Sequence, residues 1–445
     1  MKFVGGYDIP LEGKPSDEIV KHQEADTLYL PLFSRGFEYT AVQVETGESV
    51  TQGQILATDP VNFFAPLLAP VSGTVNLDAV ERHITLESLS PATDSAPDLE
   101  DITADNKRQM LLRLGVWSFI EVVGSGRMPD PEATPEAVVI ALARQEPFFP
   151  SPEVFLEGKI DQFCAGLEQL HRVLDDVTIH LVLPRAMAGL GAELQGAIAK
   201  NGDWLKLVEV EDRYPSENPA LVARTLELRR DSVWTMEAQA VLAVDQALNH
   251  GRPNVTRIVS VSGPAIAKPA HFQVPIGYPL SLLIEPANTE AELRILDGGV
   301  LTGRIINADQ RGLDTESVAL TCLQENTKRE VLAFAQAGYD KHSYTSTFAS
   351  VFRPLFREKY TTALRGEARP CIFCANCENV CPAELMPHLI YRYLSKERVE
   401  DACRVGLELC IECGLCSYVC TSKIEHLKVF RQERGKCEDE KDSRE

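Results

Sequence analysis

The sequence predicts a multidomain α/β protein that ends in a helical, cysteine-rich region. Three observations predict it. Residues 25 to 90 hold short strand patterns broken by turns, residues 103 to 250 alternate helical patterns with apolar strands, and the pattern after residue 328 is helical. The 445 residues allow about three domains at roughly 150 residues each, ample for hydrophobic cores. The composition shifts divide the chain into 1–100, 101–252, 253–327 and 328–436, with a charged tail at 437–445.

In the first unit the strand candidates are LYLPL, EYTAVQV, ILAT, GTVNLDAV and RHITLESL. The run from Val44 to Leu56, followed by Ala69-Pro70-Val71-Ser72-Gly73-Thr74-Val75, resembles the barrel-sandwich hybrid fold of biotinyl and lipoyl domains. Those domains carry their prosthetic group on a Lys between the two halves. The intervening ATDPVNFFAPLL has no Lys, so the unit is expected to be a scaffold and not a swinging-arm carrier.

The second unit pairs helical patterns such as KRQMLLRLGVWSFI and residues 153–175 with the strands AVVIALA and VTIHLVLP. That alternation predicts a Rossmann-like layer with parallel strands. A parallel sheet invites a search for a phosphate-binding loop. The only candidate, Gly124-Ser125-Gly126-Arg127-Met128-Pro129, is too short for G-x-G-x-x-G and is expected to be a turn. The third unit returns to strands, RIVSVSG, HFQVPIGYPLSLLI, ELRILDGGVLTG and SVALTCL, with Gly263, Gly277, Gly298, Gly299 and Gly303 at the turns.

The fourth unit carries the chemistry. Cys371-x2-Cys374-x2-Cys377-x3-Cys381-Pro382 is followed by Cys410-x2-Cys413-x2-Cys416-x3-Cys420. Three thiolates on one tight loop wrap three corners of a cubane, while the fourth Cys points away and ligates the other cluster. By that crossing rule Cys371, Cys374, Cys377 and Cys420 hold one 4Fe-4S cluster, and Cys410, Cys413, Cys416 and Cys381 hold the second. Paired structural zinc sites are the bland alternative, but zinc motifs come as separated pairs and not as two complete quartets. Thr421 stands where a Pro is typical; ligation is expected to survive, because the Pro shapes a turn and is not a ligand. Between the quartets, residues 383–408 carry apolar side chains at helical spacing and should orient the two loops.

Bulk numbers exclude several function classes. A net charge of −21 argues against nucleic acid or an anionic lipid surface as the main partner. The start lacks a signal-peptide pattern, and no run of about 18 apolar residues could span a bilayer. Reduced thiols and oxygen-sensitive clusters then point to the cytoplasm, where a disulfide framework is not expected. Cys164, Cys322 and Cys403 are expected to pack as small hydrophobes, and Cys437 has no obvious motif. His388 could hydrogen-bond a cluster sulfur, although a surface position is the commoner outcome. Asp340 and His342 are expected in a loop. Lys423, Lys428, Arg431, Arg434 and Lys436 are expected to form a solvated helix face, and the tail CEDEKDSRE to be disordered.

The order of units resembles the A subunit of the Na+-translocating NADH:quinone reductase (Nqr) and the homologous C subunit of the Rnf electron-transport complex, over nearly the whole chain. Gly6-Tyr7-Asp8-Ile9-Pro10 with Gly13, Leu114-Gly115-Val116-Trp117 and Pro129-Asp130-Pro131 look like the Nqr protein. Val261-Ser262-Gly263, Lys268-Pro269 and Val274-Pro275-Ile276-Gly277 fit the soluble-ligand-binding β-grasp (SLBB) motif of both. Two departures limit what carries over. The Rnf protein binds flavin and NADH at a glycine-rich loop, whereas Val122 to Pro129 is a degenerate version of it; Gln145-Glu146-Pro147 still resembles the acidic element beside that pocket. Typical Nqr A subunits lack the cluster cysteines, whereas this chain keeps all eight.

The resemblance therefore implies a cytoplasmic electron-relay subunit, peripheral to the inner face of the cell membrane. It would work with two 4Fe-4S clusters, a redox donor (an NADH-oxidising subunit or ferredoxin) and flavin- or quinone-bearing membrane subunits. FMN is possible but not favoured. Two alternatives stay open: an FMN-binding, NADH-oxidising subunit, and a non-redox adaptor whose clusters only staple the C-terminal unit.

Overall fold

A computed structural model describes residues 1–90, 106–198, 203–307, 309–326, 344, 345, 362 and 368–442. Asp340 and His342 lie outside the described residues. The first strand-rich unit forms two antiparallel sheets. One runs Leu28–Pro31, His83–Glu87, Gly73–Asn76, Ser49–Val50; the other runs Ala41–Val42, Ile55–Asp59, Ala65–Leu68. Leu28, Leu30, Leu56, Leu67, Ile84 and Leu86 are fully buried in one core, the outcome expected of two sheets packed face to face. The chain reverses at Val61 to Phe64, where buried Asp59 accepts from Val61 N and Asn62 Nδ2. This is the stretch that lacks a Lys.

The α/β unit is a five-stranded sheet in the order Leu205–Val210, Thr178–Pro184, Ala137–Ala141, Val233–Met236, Ile120–Val122. All neighbours are parallel except the last, antiparallel pair. Its interior strands read as continuous apolar runs because both faces are covered. Ile160–Val173 and Ala238–His250 supply Phe163, Leu167, Leu170, Val241 and Val244 to one face, and Pro219–Thr225 supplies Val222 and Ala223 to the other. Gly166 lets the two long helices approach, since a Cβ there would overlap the Val241 carbonyl.

The second strand-rich unit is a six-stranded mixed sheet, Ile19–Val20, Ala270–Pro275, Thr256–Ser262, Ala319–Gln324, Leu293–Asp297, Arg304–Ile305. Its edge strand comes from the N-terminal segment, which runs as a strap across the molecule. Gly6 N donates to Val380 O, Tyr7 N to Tyr214 O, and Gly263 N to Gly13 O. Gly5 and Gly13 adopt positive φ (71° and 93°), and a Cβ on either would collide with backbone, so the strap needs glycine there.

The cysteine-rich region has helices Asn376–Asn379, Pro387–Leu394, Val399–Arg404, Leu415–Tyr418 and His426–Asp442. It is an internal repeat with an offset of 39 residues (410 minus 371). The left-handed residues recur at that offset: Phe373 and Glu412, Ala375 and Gly414, Glu384 and Lys423. So do the short helices that start at Asn376 and Leu415. Two expectations fail here. The last helix continues through Asp442, so residues 437–442 of the tail are helical. Cys403 is not merely a packing residue, because it forms a disulfide with Cys437, 34 residues on, across helices Val399–Arg404 and His426–Asp442. Their sequence separation hid the pairing.

Candidate iron–sulfur centres

The eight cysteines of the quartets are free thiols grouped by the fold. Cys381, Cys410, Cys413 and Cys416 line one pocket, walled by Leu385, Ile411, Leu415 and Phe430. The outlying Cys381 thus shares a cavity with the three cysteines of the second loop. Burial raises the Cys377 thiol to about 11; among its neighbours Cys374, Cys420 and Cys371 raise it further. These are the other three members of the first crossed quartet. Burial likewise pushes Cys410 to about 11, and Cys413 and Cys416 well above the usual thiol range. Metal ligation requires the thiolate, so loading such a site releases protons and supplies the charge that burial otherwise forbids.

A single tetrahedral zinc at about 2.3 Å from each sulfur would draw its ligands to about 3.8 Å from one another. Among the described residues no three His, Cys, Asp or Glu side chains converge as one metal ion would need. Thiols arranged around a cavity suit a larger, four-iron group. Backbone amides already point at the sulfurs: Leu385 N to Cys381, Glu412 N to Cys410 and Ile424 N to Cys420, each at 3.4 Å. Two of these again recur at the 39-residue offset (424 minus 385). The donor set fits an anionic iron–sulfur group.

The two quartets differ in exposure. Cys374 is exposed, and Ile372 and Phe373 beside it are 65% and 52% exposed. The second quartet instead faces the body of the protein. Tyr214 Oη donates to Cys413 O at 2.9 Å. Gly414, at φ 76°, lies against Leu301 of the hairpin turn between Leu293–Asp297 and Arg304–Ile305. That turn is gripped by Glu146, whose carboxylate accepts from Leu301 N at 2.6 Å, from Thr302 N at 3.0 Å and from the Thr302 hydroxyl. Burial raises the Glu146 carboxyl, and these three bonds oppose the rise.

The basic run after the last ligand forms the expected solvated face only in part: Lys428, Arg431 and Lys436 are exposed, whereas Arg434 is tucked in. Arg431 Nε and Arg434 Nη1 bind Glu412 at 2.8 and 3.0 Å, and Arg434 Nη2 donates to Gly124 O at 2.6 Å. Burial pushes Glu412 up, but the two guanidinium groups outweigh it and hold the carboxyl below its ordinary value. Lys428 and Lys436 make exposed pairs with Glu425 and Glu433. His388 is half-buried, not a free surface residue; its Nδ1 lies 4.0 Å from Cys377 Sγ and 3.7 Å from Glu378. Sequence reasoning missed Tyr214, Glu412 and the role of Glu146, because their partners lie far away along the chain.

The loop at Gly124 is a turn, closed by Gly126 N to Val122 O. Asp231 packs on it so closely that a Cβ on Gly124 would overlap its carboxylate, and Arg434 holds its carbonyl.

Two parts of the chain match known families. Residues 102–253 match the family of the NqrA second alpha/beta domain, and residues 363–421 match the 4Fe-4S dicluster domain family. All eight quartet cysteines fall inside the second match. Over 413 residues the chain is 28% identical to the A subunit of the Na(+)-translocating NADH-quinone reductase of Pseudomonas aeruginosa, covering 88% of each. The chain is thus similar to NqrA over most of its length and to a dicluster domain near its end. It is also 25% identical to the protein of that name from Rhodopirellula baltica, over 87% of this chain and 86% of the relative. A solved NAD+-reducing [NiFe]-hydrogenase in the air-oxidized state aligns with 78% of this chain and 69% of its own, at 13% identity and a TM-score of 0.42. Among the described residues no helix is long and apolar enough to cross a membrane.

Proposed function

We propose that this chain is a peripheral electron-transfer subunit of an Nqr-type membrane redox complex. Cys371, Cys374, Cys377 and Cys420 would hold one 4Fe-4S cluster, and Cys410, Cys413, Cys416 and Cys381 the other. Bound clusters supply one-electron carriers. The observation that supports this reading is that Cys381 lines one cavity with Cys410, Cys413 and Cys416, while Thr421, next to Cys420, lies beside Cys374.

The residues of the chain have distinct tasks. The amides of Leu385, Glu412 and Ile424 orient sulfur lone pairs and offset their charge. Leu385, Ile411, Leu415 and Phe430 give the second quartet apolar walls. Cys374, the exposed member of the first quartet, marks the side at which a partner would exchange electrons, and the membrane subunits of its relatives' complex are the partners this reading implies. Hydride chemistry on this chain would need a flavin site, and the closed Gly124 turn disfavours one.

Anaerobic purification of the native complex, iron and flavin quantification, and low-temperature EPR during reductive titration test the proposal. About eight irons per chain, no flavin on this chain and two interacting reduced signals are expected. Stoichiometric flavin with direct reduction by NADH would make the chain an NADH dehydrogenase instead, and clusters that no reductant reaches would make it an adaptor.

A further inference from the structure

The residue that follows each outlying ligand differs between the two halves of the repeat. Pro382 follows Cys381, whereas Thr421 follows Cys420 at the 39-residue offset (421 minus 382). Thr421 Oγ1 lies 3.6 Å from Cys374 Sγ, within hydrogen-bonding reach for sulfur. The turn that carries it is pinned at three points. Arg369 N donates to Ser422 O at 2.9 Å, Arg369 Nη2 to Thr421 O at 3.3 Å, and Ser422 Oγ to Pro370 O at 2.9 Å. The backbone that carries the hydroxyl is therefore held, and only the χ1 rotation of the β-branched Thr421 is left to set its direction.

A ligating sulfur is a thiolate and has no proton, so within this pair only the Thr421 hydroxyl can donate. We propose that Thr421 is a positioning residue that donates to the Cys374 thiolate and raises the reduction potential of the cluster in the first quartet. Reduction adds one negative charge to an already anionic group. A donor at its sulfur stabilises the more negative state more, and the potential rises. Pro382, at the equivalent place beside the second quartet, has no hydroxyl to offer, so the two clusters are set apart in potential. This rests on the reading that the eight cysteines hold two clusters. The His388–Cys377 contact is longer, at 4.0 Å, and is no part of the proposal.

The test is an anaerobic potentiometric titration of the full chain followed by low-temperature EPR, with iron counted per chain, for wild type, Thr421→Val, Thr421→Ser and Thr421→Pro. In Thr421→Val one midpoint should fall, so that at the wild-type midpoint the reduced-to-oxidised ratio of that cluster drops about threefold to tenfold. Tenfold corresponds to about 59 mV for a one-electron couple. Thr421→Ser should keep the wild-type value, Thr421→Pro should match Thr421→Val, and the other midpoint should stay in place. Full iron with both midpoints unmoved in Thr421→Val overturns the proposal. If Thr421→Val loses iron, Thr421→Pro carries the comparison; loss of iron in both overturns tuning in favour of a purely structural role. A wild-type chain without iron would instead sink the cluster reading itself.

Discussion

Gly414→Ala isolates the contact between the second quartet and the body of the protein. Gly414 adopts φ 76°, and an added Cβ would stand 2.8 Å from Leu301 O and 3.1 Å from Leu301 Cβ. Left-handed backbone costs a non-glycine residue about 1–2 kcal/mol. The overlap adds about 1–3 kcal/mol of overpacking, because Leu301 cannot retreat while Leu301 N and Thr302 N are held by Glu146. A destabilisation of about 3 kcal/mol follows. The repeat supplies its own control, since the equivalent residue is already an alanine, Ala375, at φ 60°. Ala375→Gly relieves left-handed strain but loosens the unfolded chain, so it should range from neutral to a gain of about 1 kcal/mol. Anaerobic guanidinium unfolding followed by visible absorbance compares the two. A Gly414→Ala midpoint whose stability lies within about 0.5 kcal/mol of wild type would refute the rigid contact with Leu301.

Three further predictions concern the surroundings. Burial pushes the Glu217 carboxyl up to about 7 in the folded chain, above the ordinary 4.5. The native state then binds more protons than the unfolded one between those values, and stability falls as pH rises through that window. Glu217→Gln keeps the acceptor for Gln145 N and should remove this pH dependence, with a gain above pH 7 of at most about 3 kcal/mol, read from denaturation at pH 5 and 8. Cys403→Ser opens a link across 34 residues, worth ~4 kcal/mol in a chain without clusters and less once iron already ties the same helices; melting of both forms with and without reductant measures the difference. Arg434→Ala removes bonds to Glu412 and Gly124 O and should cost about 1–3 kcal/mol in denaturation, with Arg434→Lys recovering only part.

The parallel sheet and the quartets were legible for local reasons. AVVIALA and VTIHLVLP are apolar throughout because both faces of the sheet are covered, and three closely spaced cysteines reveal a wrapping loop without any knowledge of the fold. What stayed hidden depends on distant partners. Glu146 looked like a remnant of a flavin pocket, yet its task is to grip Leu301 and Thr302, more than 150 residues away. The basic run at 423–436 read as a solvated face because charge on a helix usually is. Its partners, Glu412 and the Gly124 carbonyl, are set by docking of the last helix on the α/β unit. Cys437 sat in a charged tail whose other residues gave no hint of a buried, disulfide-bonded thiol.

A tandem repeat on its own would expose its two halves alike; the body touches both, at Val380 and Ala383 in one and at Cys413 and Gly414 in the other, but it leaves Cys374 outside. Tyr214, Leu301 and Arg434 all reach the half that carries Cys410 to Cys416, whereas Cys374, Ile372 and Phe373 stay exposed. Access by a small iron chelator should follow the same division. In the loaded, oxidised protein, iron release should be biphasic, with equal amplitudes and the slow half belonging to the second quartet. Tyr214→Phe then becomes informative. It strips the hydroxyl from Cys413 O, leaving a buried carbonyl without that donor at a cost of about 1–3 kcal/mol. Because that carbonyl belongs to the loop that wraps the inner sulfurs, the loss should appear as a faster slow phase, by about fivefold or more, with the fast phase unchanged. Equal acceleration of both phases would mean that Tyr214 supports the whole C-terminal region. A single phase in the wild type would show that the body does not shield one half from solvent, and the assignment of an outer and an inner quartet would fall.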